Sequence, residues 1–165
     1  TASKIHFDFP AKAGRVAVKM IWYDGGLMPE RPELIESERQ MGDNDRGVLI
    51  VGDKNTLMHG VYGRNPRLIP ETRHAQYPTP AKTLDRSPGI YQEWIDAIKD
   101  RSKQTTSNFD YAAKLTETML LGNVATSRAG ENKVLEYDAI NMRFTNDDGA
   151  NAYLDKEYRR GFGLV

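Results

Sequence analysis

Residues 47–62 read GVLIVGDKNTLMHGVY: two β-rich runs parted by Gly52-Asp53-Lys54-Asn55. Branched apolar residues suit a pleated surface. Asn tolerates the left-handed backbone that a tight reversal needs, so this is the clearest hairpin signal in the chain. Immediately after it, Pro66 and Pro70 bracket Arg67-Leu68-Ile69. A proline cannot donate to a ladder, so this piece suits a short edge strand.

Working toward the start, residues 4–9 alternate. Ile5, Phe7 and Phe9 point one way, and Lys4, His6 and Asp8 the other, as in a half-buried strand. Pro10 stops it, and residues 15–24 read as a second strand paired to the first. Val16, Val18, Met20 and Trp22 share one face, and Ala17, Lys19, Ile21 and Tyr23 the other. Being apolar on both faces toward its end, this strand is expected inside a sheet or under another layer. Residues 25–46 read as a loop opened by Gly25-Gly26, with room for one short exposed helix over 33–41.

Beyond the hairpin, residues 71–89 carry Pro78, Pro80 and Pro88 and read as a long irregular stretch. It is either a functional excursion or a plain surface tether. Ile90, Trp94, Ile95 and Ile98 then form the apolar stripe of a helix. Asn108 caps a longer helix through Ser127, with Ala112, Leu115, Met119, Leu120 and Val124 on its inner face. Residues 134–137 and 142–145 read as two short strands, or as one strand and a turn. Asn146 or Asp147 caps a final helix with Leu154 and Tyr158 inward. Strands come first, helices next, then a strand and a helix. That order predicts an α+β fold: an open, mainly antiparallel sheet with helices on one face. A doubly wound parallel fold would alternate throughout.

The composition bounds the function. At 165 residues the chain suits about one domain. Lys plus Arg equals Asp plus Glu, 23 against 23, so no net field favours nucleic acid or an anionic membrane, and neither is expected as a partner. Apolar runs as short as Val48-Leu49-Ile50-Val51 leave no transmembrane helix. With no cysteine, thiolate metal sites, iron–sulfur clusters and Cys nucleophiles are excluded. His6, His59 and His74 fit no zinc spacing, and no metal is expected. There is no G-x-G-x-x-G opening a helix, no P-loop, no G-x-S-x-G and no H-E-x-x-H. Strand-like alternation begins by Lys4 without a preceding leader pattern, and the chain reads as a piece of a longer protein.

Two stretches stand out chemically. Trp22-Tyr23-Asp24-Gly25-Gly26 brings two aromatics and a carboxylate to a Gly-Gly turn. Aromatic faces stack on sugar C–H surfaces, a carboxylate accepts from paired hydroxyls, and Gly lets backbone approach a ligand. The alternative is a core Trp, a boundary Tyr and a turn-forming Asp. Val61-Tyr62-Gly63-Arg64-Asn65-Pro66-Arg67 sets two guanidinium groups about a turn. Arg64 and Arg67 either grip an anionic group by their fork geometry or are simply solvated. His74 and Tyr77, on the long stretch, reach toward such a site or lie exposed. The carboxylate pairs Asp43/Asp45 and Asp147/Asp148 read as loop or capping groups.

Five strings then stand in order: WYDGGLMPERPE at 22–33, GVLIVGDKNTLMHGVYGRNPRLIPE at 47–71, YQEWIDAIKD at 91–100, FDYAAKLTETMLLGNVA at 109–125 and YDAINMRFTNDDGANAYLDKEYRRGF at 137–162. Together they span nearly the whole chain. The chain resembles the C-terminal domain of Gfo/Idh/MocA oxidoreductases, the glucose–fructose oxidoreductase and inositol dehydrogenase superfamily, in its Bacteroidetes-type branch. The resemblance implies that residues 1–165 are a substrate and oligomerisation domain, and that an N-terminal Rossmann domain holding NAD or NADP lies outside this chain. No cofactor is then expected on this chain alone, and the principal catalytic groups belong to the other domain. The implied substrate is a sugar or polyol. Oxidoreduction is the implied chemistry, and NAD-dependent glycoside hydrolysis is an alternative found among relatives. The implied assembly is a homodimer or homotetramer through a sheet face, for which Ile5, Phe7, Val16 and Val18 or their opposite-face neighbours would supply the surface. Relatives often carry a His ahead of the aromatic Tyr91, where this chain has Ile90, and a Gly where it has Asn55. Tyr91 joins Trp22, Tyr23, Asp24, Arg64, Arg67, His74 and Tyr77 as a substrate-binding candidate. The reading from a different class is a free-standing, non-enzymatic β-sheet module for assembly or carbohydrate binding.

Overall fold

A computed structural model describes residues 2–44 and 46–163. The chain is mixed α and β, with small antiparallel sheets and a few helices. It divides into two compact units: Thr1–Ala2 with Tyr23–Asp85, and Ser3–Trp22 with Arg86–Val165. Among the described residues the strands form three sheets, of two, three and two strands.

The unit around Tyr23–Asp85 is built on the hairpin read first from the sequence. Strand β3 (Val48–Val51) pairs antiparallel with β4 (Thr56–His59) in the register Val51↔Thr56, and β4 pairs with β5 (Arg67–Ile69). The expected edge strand is therefore present. Gly52 N–H closes the reversal on the Asn55 carbonyl at 2.9 Å. Asn55 does not use the left-handed region; the left-handed residues lie elsewhere, at Tyr62 and Asn65 among others. Its Oδ1 instead accepts from the Arg73 guanidinium at 2.6 Å, which also donates to the Lys54 carbonyl at 2.8 Å. Met58 and Ile69 meet Ile35 in a small core, with Met41 and Leu49 packed on it.

Two expectations in this unit are corrected. Residues 33–41 form turns, not a helix. The Arg31 guanidinium takes the carbonyls of Glu36, Ser37 and Arg39 at 2.5, 3.0 and 2.7 Å; a helix over 33–41 would have used the first two itself. Residues 71–76, read as irregular, form helix α1 (Glu71–Gln76). The Glu36 Oε1 atom accepts the Glu71 N–H at 2.6 Å from 35 residues away. A first-turn donor satisfied from that distance leaves no local capping signal.

In the second unit, β1 (Lys4–Phe9) pairs with β2 (Val18–Tyr23), and the bridge Lys12↔Arg15 closes the turn between them. Ile5, Phe7 and Phe9 are half-buried, and the Phe7 and Phe9 rings stack at 6.4 Å. Helix α2 (Ile90–Lys99) and helix α3 (Phe109–Ser127) follow as expected. The Asn108 carboxamide oxygen caps α3 by accepting from Tyr111 N–H at 3.2 Å. The sheet meets α3 at Gly122. A Cβ there would stand 3.1 Å from Phe7 Cζ and 3.5 Å from Ile5 Cδ1.

Burial falls short of expectation. Among the described residues strand β2 has one hydrogen-bonded neighbour, and Val18, Ile21 and Trp22 stay exposed, so it is not an inner strand there. Of the inner face read for α3, Val124 is buried, but Leu115, Met119 and Leu120 are exposed, as is the whole stripe of α2. Periodicity marks which face is apolar; it does not supply a layer to cover it.

At the end of α3, Val124, Phe144 and Ala150 form a second core with Leu121, Leu135 and Tyr137. Strands β6 (Tyr137–Asp138) and β7 (Arg143–Phe144) pair with the register Tyr137↔Phe144. The pairing continues through Thr145 N–H to Glu136 O at 2.8 Å, and two asparagine side chains bind the backbone around it. Asn146 accepts from Glu136 N–H at 3.0 Å and donates to Val134 O at 2.9 Å. Asn151 does the same with Phe144 N–H and O, at 2.7 and 2.9 Å. The cap at Asp147 is present, its Oδ1 accepting from Ala150 N–H at 2.8 Å. The helix it starts, α4 (Asp148–Asn151), stops at Asn151, so Leu154 and Tyr158 lie beyond it.

The Tyr137 hydroxyl donates to Glu117 Oε1 at 2.6 Å, and burial followed by this neighbouring carboxylate pushes its pKa up to about 12. Because the folded value is raised, the neutral phenol favours the folded state below pH 10, and that contribution disappears as pH rises from about 10 to about 12. Tyr137→Phe is expected to remove one high-pH step from the phenolate absorbance titration and to flatten the loss of stability above pH 10. A titration identical to that of the parent chain would refute the pairing.

Candidate functional site

A polar cleft lies in the unit around Tyr23–Asp85. It measures about 410 Å³ and is lined by Asp43, Asn44, Arg46, Val61 and Arg64. Two reversals build it. In the first, Asp43 N–H donates to Arg46 O at 2.6 Å and Arg46 N–H to Asp43 O at 2.9 Å. Glycine is needed at both ends of this reversal: a Cβ on Gly42 would run into Arg46 O, and one on Gly47 into His59 O. In the second, between β4 and β5, Gly60 N–H donates to Arg64 O at 2.8 Å and Arg64 N–H to Val61 O at 3.2 Å. The two reversals interlock at Gly60. The Asp43 carboxylate occupies the space where a side chain on Gly60 would stand.

The second reversal is conformationally costly. Tyr62, Gly63 and Asn65 all have positive φ, at 58°, 72° and 49°. Gly accepts this freely and Asn at modest cost, but an aromatic residue does so at about 1–2 kcal/mol. Tyr62 is 91% exposed, so no burial of its own offsets that strain. The Arg64 guanidinium carbon lies 5.9 Å from the ring centroid, at the outer edge of a cation–π contact. The cleft thus has a carboxylate that accepts and guanidinium groups that donate. Charges of both signs suit a hydroxyl-rich neutral ligand better than a simple ion.

Of the residues singled out in the sequence, the structure places Arg64 in this cleft. Arg67 is engaged elsewhere. Its Nε donates to Glu71 Oε2 at 3.1 Å, and its Nη2 is paired with Glu71 Oε1. Arg39 also reaches Glu71 Oε2, at 2.7 Å. The fork of Arg67 is spent on anchoring α1. His74 sits within α1, not on a loop; it is half-buried, with Nδ1 3.4 Å from the Leu68 amide. Tyr77 follows the helix and is exposed. Asp24 opens the expected turn, its carbonyl accepting from Leu27 N–H at 3.1 Å, with Gly25 and Gly26 at positive φ. Trp22 is exposed and Tyr23 half-buried. As successive strand residues they leave opposite faces, so they do not form one platform. Trp22 and Tyr91, the latter exposed on the first turn of α2, belong to the other unit.

The sequence does not single out Asp43, Asn44 and Arg46 as a site. Asp43 was read as a loop carboxylate, which it is; its neighbour in that pair, Asp45, lies outside the described residues. The available signal was the spacing of Gly42 and Gly47 about a short polar run. Asp147 serves as the expected cap, paired with Arg128 at 3.1 Å and Lys133 at 3.3 Å, and Asp148 follows in α4.

Among the described residues there is no group of three or more His, Asp or Glu able to hold a metal ion. No helix among them is long and apolar enough to cross a membrane. In comparison with known proteins, no family model matches the chain and no curated protein matches it.

Proposed function

We propose that this chain is the substrate-binding and oligomerisation domain of an NAD(P)-dependent oxidoreductase acting on a sugar or polyol, of the Gfo/Idh/MocA kind. The observation that carries the reading is the ordered set of five sequence strings over nearly the whole chain. The cleft at Asp43, Arg46 and Arg64 supports it, because it offers both acceptors and donors to vicinal hydroxyls. The fold this reading calls for is an open, mainly antiparallel sheet with helices on one face. The antiparallel β3–β4–β5 pairing in one unit and the seat of α3 on Ile5 and Phe7 in the other support its antiparallel pairing and its helix-on-strand packing, while the described strands form three small sheets and not one open sheet. Because α3 occupies Ile5 and Phe7, the self-association surface falls to the exposed residues of β2, Val18, Ile21 and Trp22, together with Val16. NAD or NADP is held by the partner Rossmann domain, which also supplies the catalytic groups.

The division of labour is tested by calorimetric titration of the 165-residue chain. Monosaccharides are expected to bind in the millimolar range, and NAD and NADP to give no saturable signal. Saturable dinucleotide binding by this chain alone would overturn the proposal.

A further inference from the structure

We infer that the outer edge of β3 pairs with the β3 edge of a second copy of this chain, joining two three-stranded sheets into one continuous sheet about a twofold axis. The inference stands apart from the carbohydrate reading and uses a different surface from the one assigned to β2. In the sheet order β3–β4–β5 the outer strands are β3 and β5. Bonded and unbonded residue pairs alternate along an antiparallel ladder. The bond from Gly52 N–H to Asn55 O sets the phase: Val51 and Thr56 are an unbonded pair, Ile50 and Leu57 a bonded one, Leu49 and Met58 unbonded again. Val48 and Ile50 therefore turn their backbone groups to β4, while Leu49 and Val51 turn theirs outward. By the same alternation Leu68, between Arg67 and Ile69, faces outward from β5. That edge is closed: Leu68 N–H lies 3.4 Å from His74 Nδ1, α1 packs against β5, and Pro66 and Pro70 stand at its ends. The edge of β3 has no such closure. Among the described residues no partner meets the outward N–H and C=O groups of Leu49 and Val51. Residues 47–52 also carry no charge and no proline, the devices that blunt an edge strand.

A second copy fits because the edge is complementary to itself. With the twofold axis at Ile50, Leu49 of each copy lies opposite Val51 of the other, and every outward N–H meets an outward C=O. Ile50 then forms an unbonded pair with its own copy, the closer of the two pair types, so two half-exposed apolar side chains cover each other. Val51, 78% exposed in the single chain, gains a neighbour at the same step. The uncharged run 47–52 faces another uncharged run, so no like charges oppose the contact within it. The surface buried is small, and the association is correspondingly weak.

The test is sedimentation equilibrium of the 165-residue chain together with hydrogen–deuterium exchange read amide by amide. The chain is expected to be a monomer at micromolar and a dimer at millimolar concentration. Over that range the Leu49 and Val51 amides should gain protection by about tenfold, while that of Ile50, already turned to β4, stays within about twofold. Val51→Pro removes an outward N–H and no bond of the β3–β4 ladder, so Ile50 should remain protected and the chain should remain a monomer at millimolar concentration. Should that variant fail to fold, Val51→Lys decides; it places a charge at an exposed edge position and should weaken the dimer by about tenfold. A parent chain that stays monomeric at millimolar concentration would overturn the inference. So would a dimer whose Leu49 and Val51 amides exchange as fast as in the monomer, or one left undiminished by Val51→Lys, since the contact would then lie on another surface.

Discussion

Ile69→Ala is expected to destabilise the unit around Tyr23–Asp85 by about 3 kcal/mol. Ile69 is 2% exposed and is the largest fully buried side chain among the described residues. Three buried carbons are lost, at about 0.8 kcal/mol each, and a cavity term adds to them. The core has little with which to refill the space, since Ile35 and Met58 are its only other buried members among the described residues. By hydrogen–deuterium exchange, the amides of β4 and β5 should lose protection on the order of 100-fold. The amides of α3 serve as an internal control. The cleft should fail with the core, because the reversal carrying Val61, Tyr62 and Arg64 is strung between β4 and β5. A loss of protection below threefold would show that the unit does not depend on this contact.

Asp147→Ala is expected to have an effect of similar size on the other unit. The Asp147 side chain is 3% exposed, and three donors converge on it: Ala150 N–H, Arg128 at 3.1 Å and Lys133 at 3.3 Å. Arg128 is pinned in turn. It pairs with Glu131 at 3.0 Å, and its guanidinium lies over Gly149, where a Cβ would stand 2.9 Å from it. Its Nε is buried without a partner, so the guanidinium relies on Asp147 and Glu131. Removing the carboxylate orphans the amide of a fully buried Ala150 and leaves two cations facing each other. The expected fall in melting temperature is about 8 °C or more for Asp147→Ala. It is about half that for Asp147→Asn, which keeps an acceptor for the cap and loses only the charge.

The pH dependence separates this account from a general packing defect. The Ala150 amide first, then Lys133 and Arg128, hold the Asp147 carboxyl below its ordinary value of 3.8. A depressed folded pKa contributes stability that is present above the unfolded value and lost as pH falls through the folded one. The parent chain should therefore lose stability below about pH 4, and Asp147→Asn should lose less over that window. Parallel acid curves for the two would refute the ion-pair account.

Local chemistry made much of the fold readable. The Gly52 to Asn55 reversal, the proline-bracketed edge strand, the Asn108 cap and the Asp147 cap each depend on residues within a few positions of one another. Each is found where it was expected. The reading failed where distant groups decided. Helix α1 starts on a carboxylate 35 residues away, and Arg31 holds residues 33–41 out of a helix by taking their carbonyls. Of the candidate site residues, Arg64 lines the cleft, while Arg67 is spent on Glu71 and His74 lies within a helix. Whether an arginine is free to meet a ligand depends on which carboxylate folding brings beside it, and spacing along the chain does not carry that information.

By itself, then, the order of residues determined the strands, the two longer helices, the α+β class and the Asn108 and Asp147 caps, because those follow from periodicity, backbone preference and hydrogen bonds across three or four positions. Only the tertiary structure decided which apolar faces are covered, which charges are spent on one another, and that Asp43 and Arg64 line one cleft. Burial and electrostatic pairing depend on distances in space, and two reversals more than a dozen residues apart have no way to announce in sequence that they interlock at Gly60.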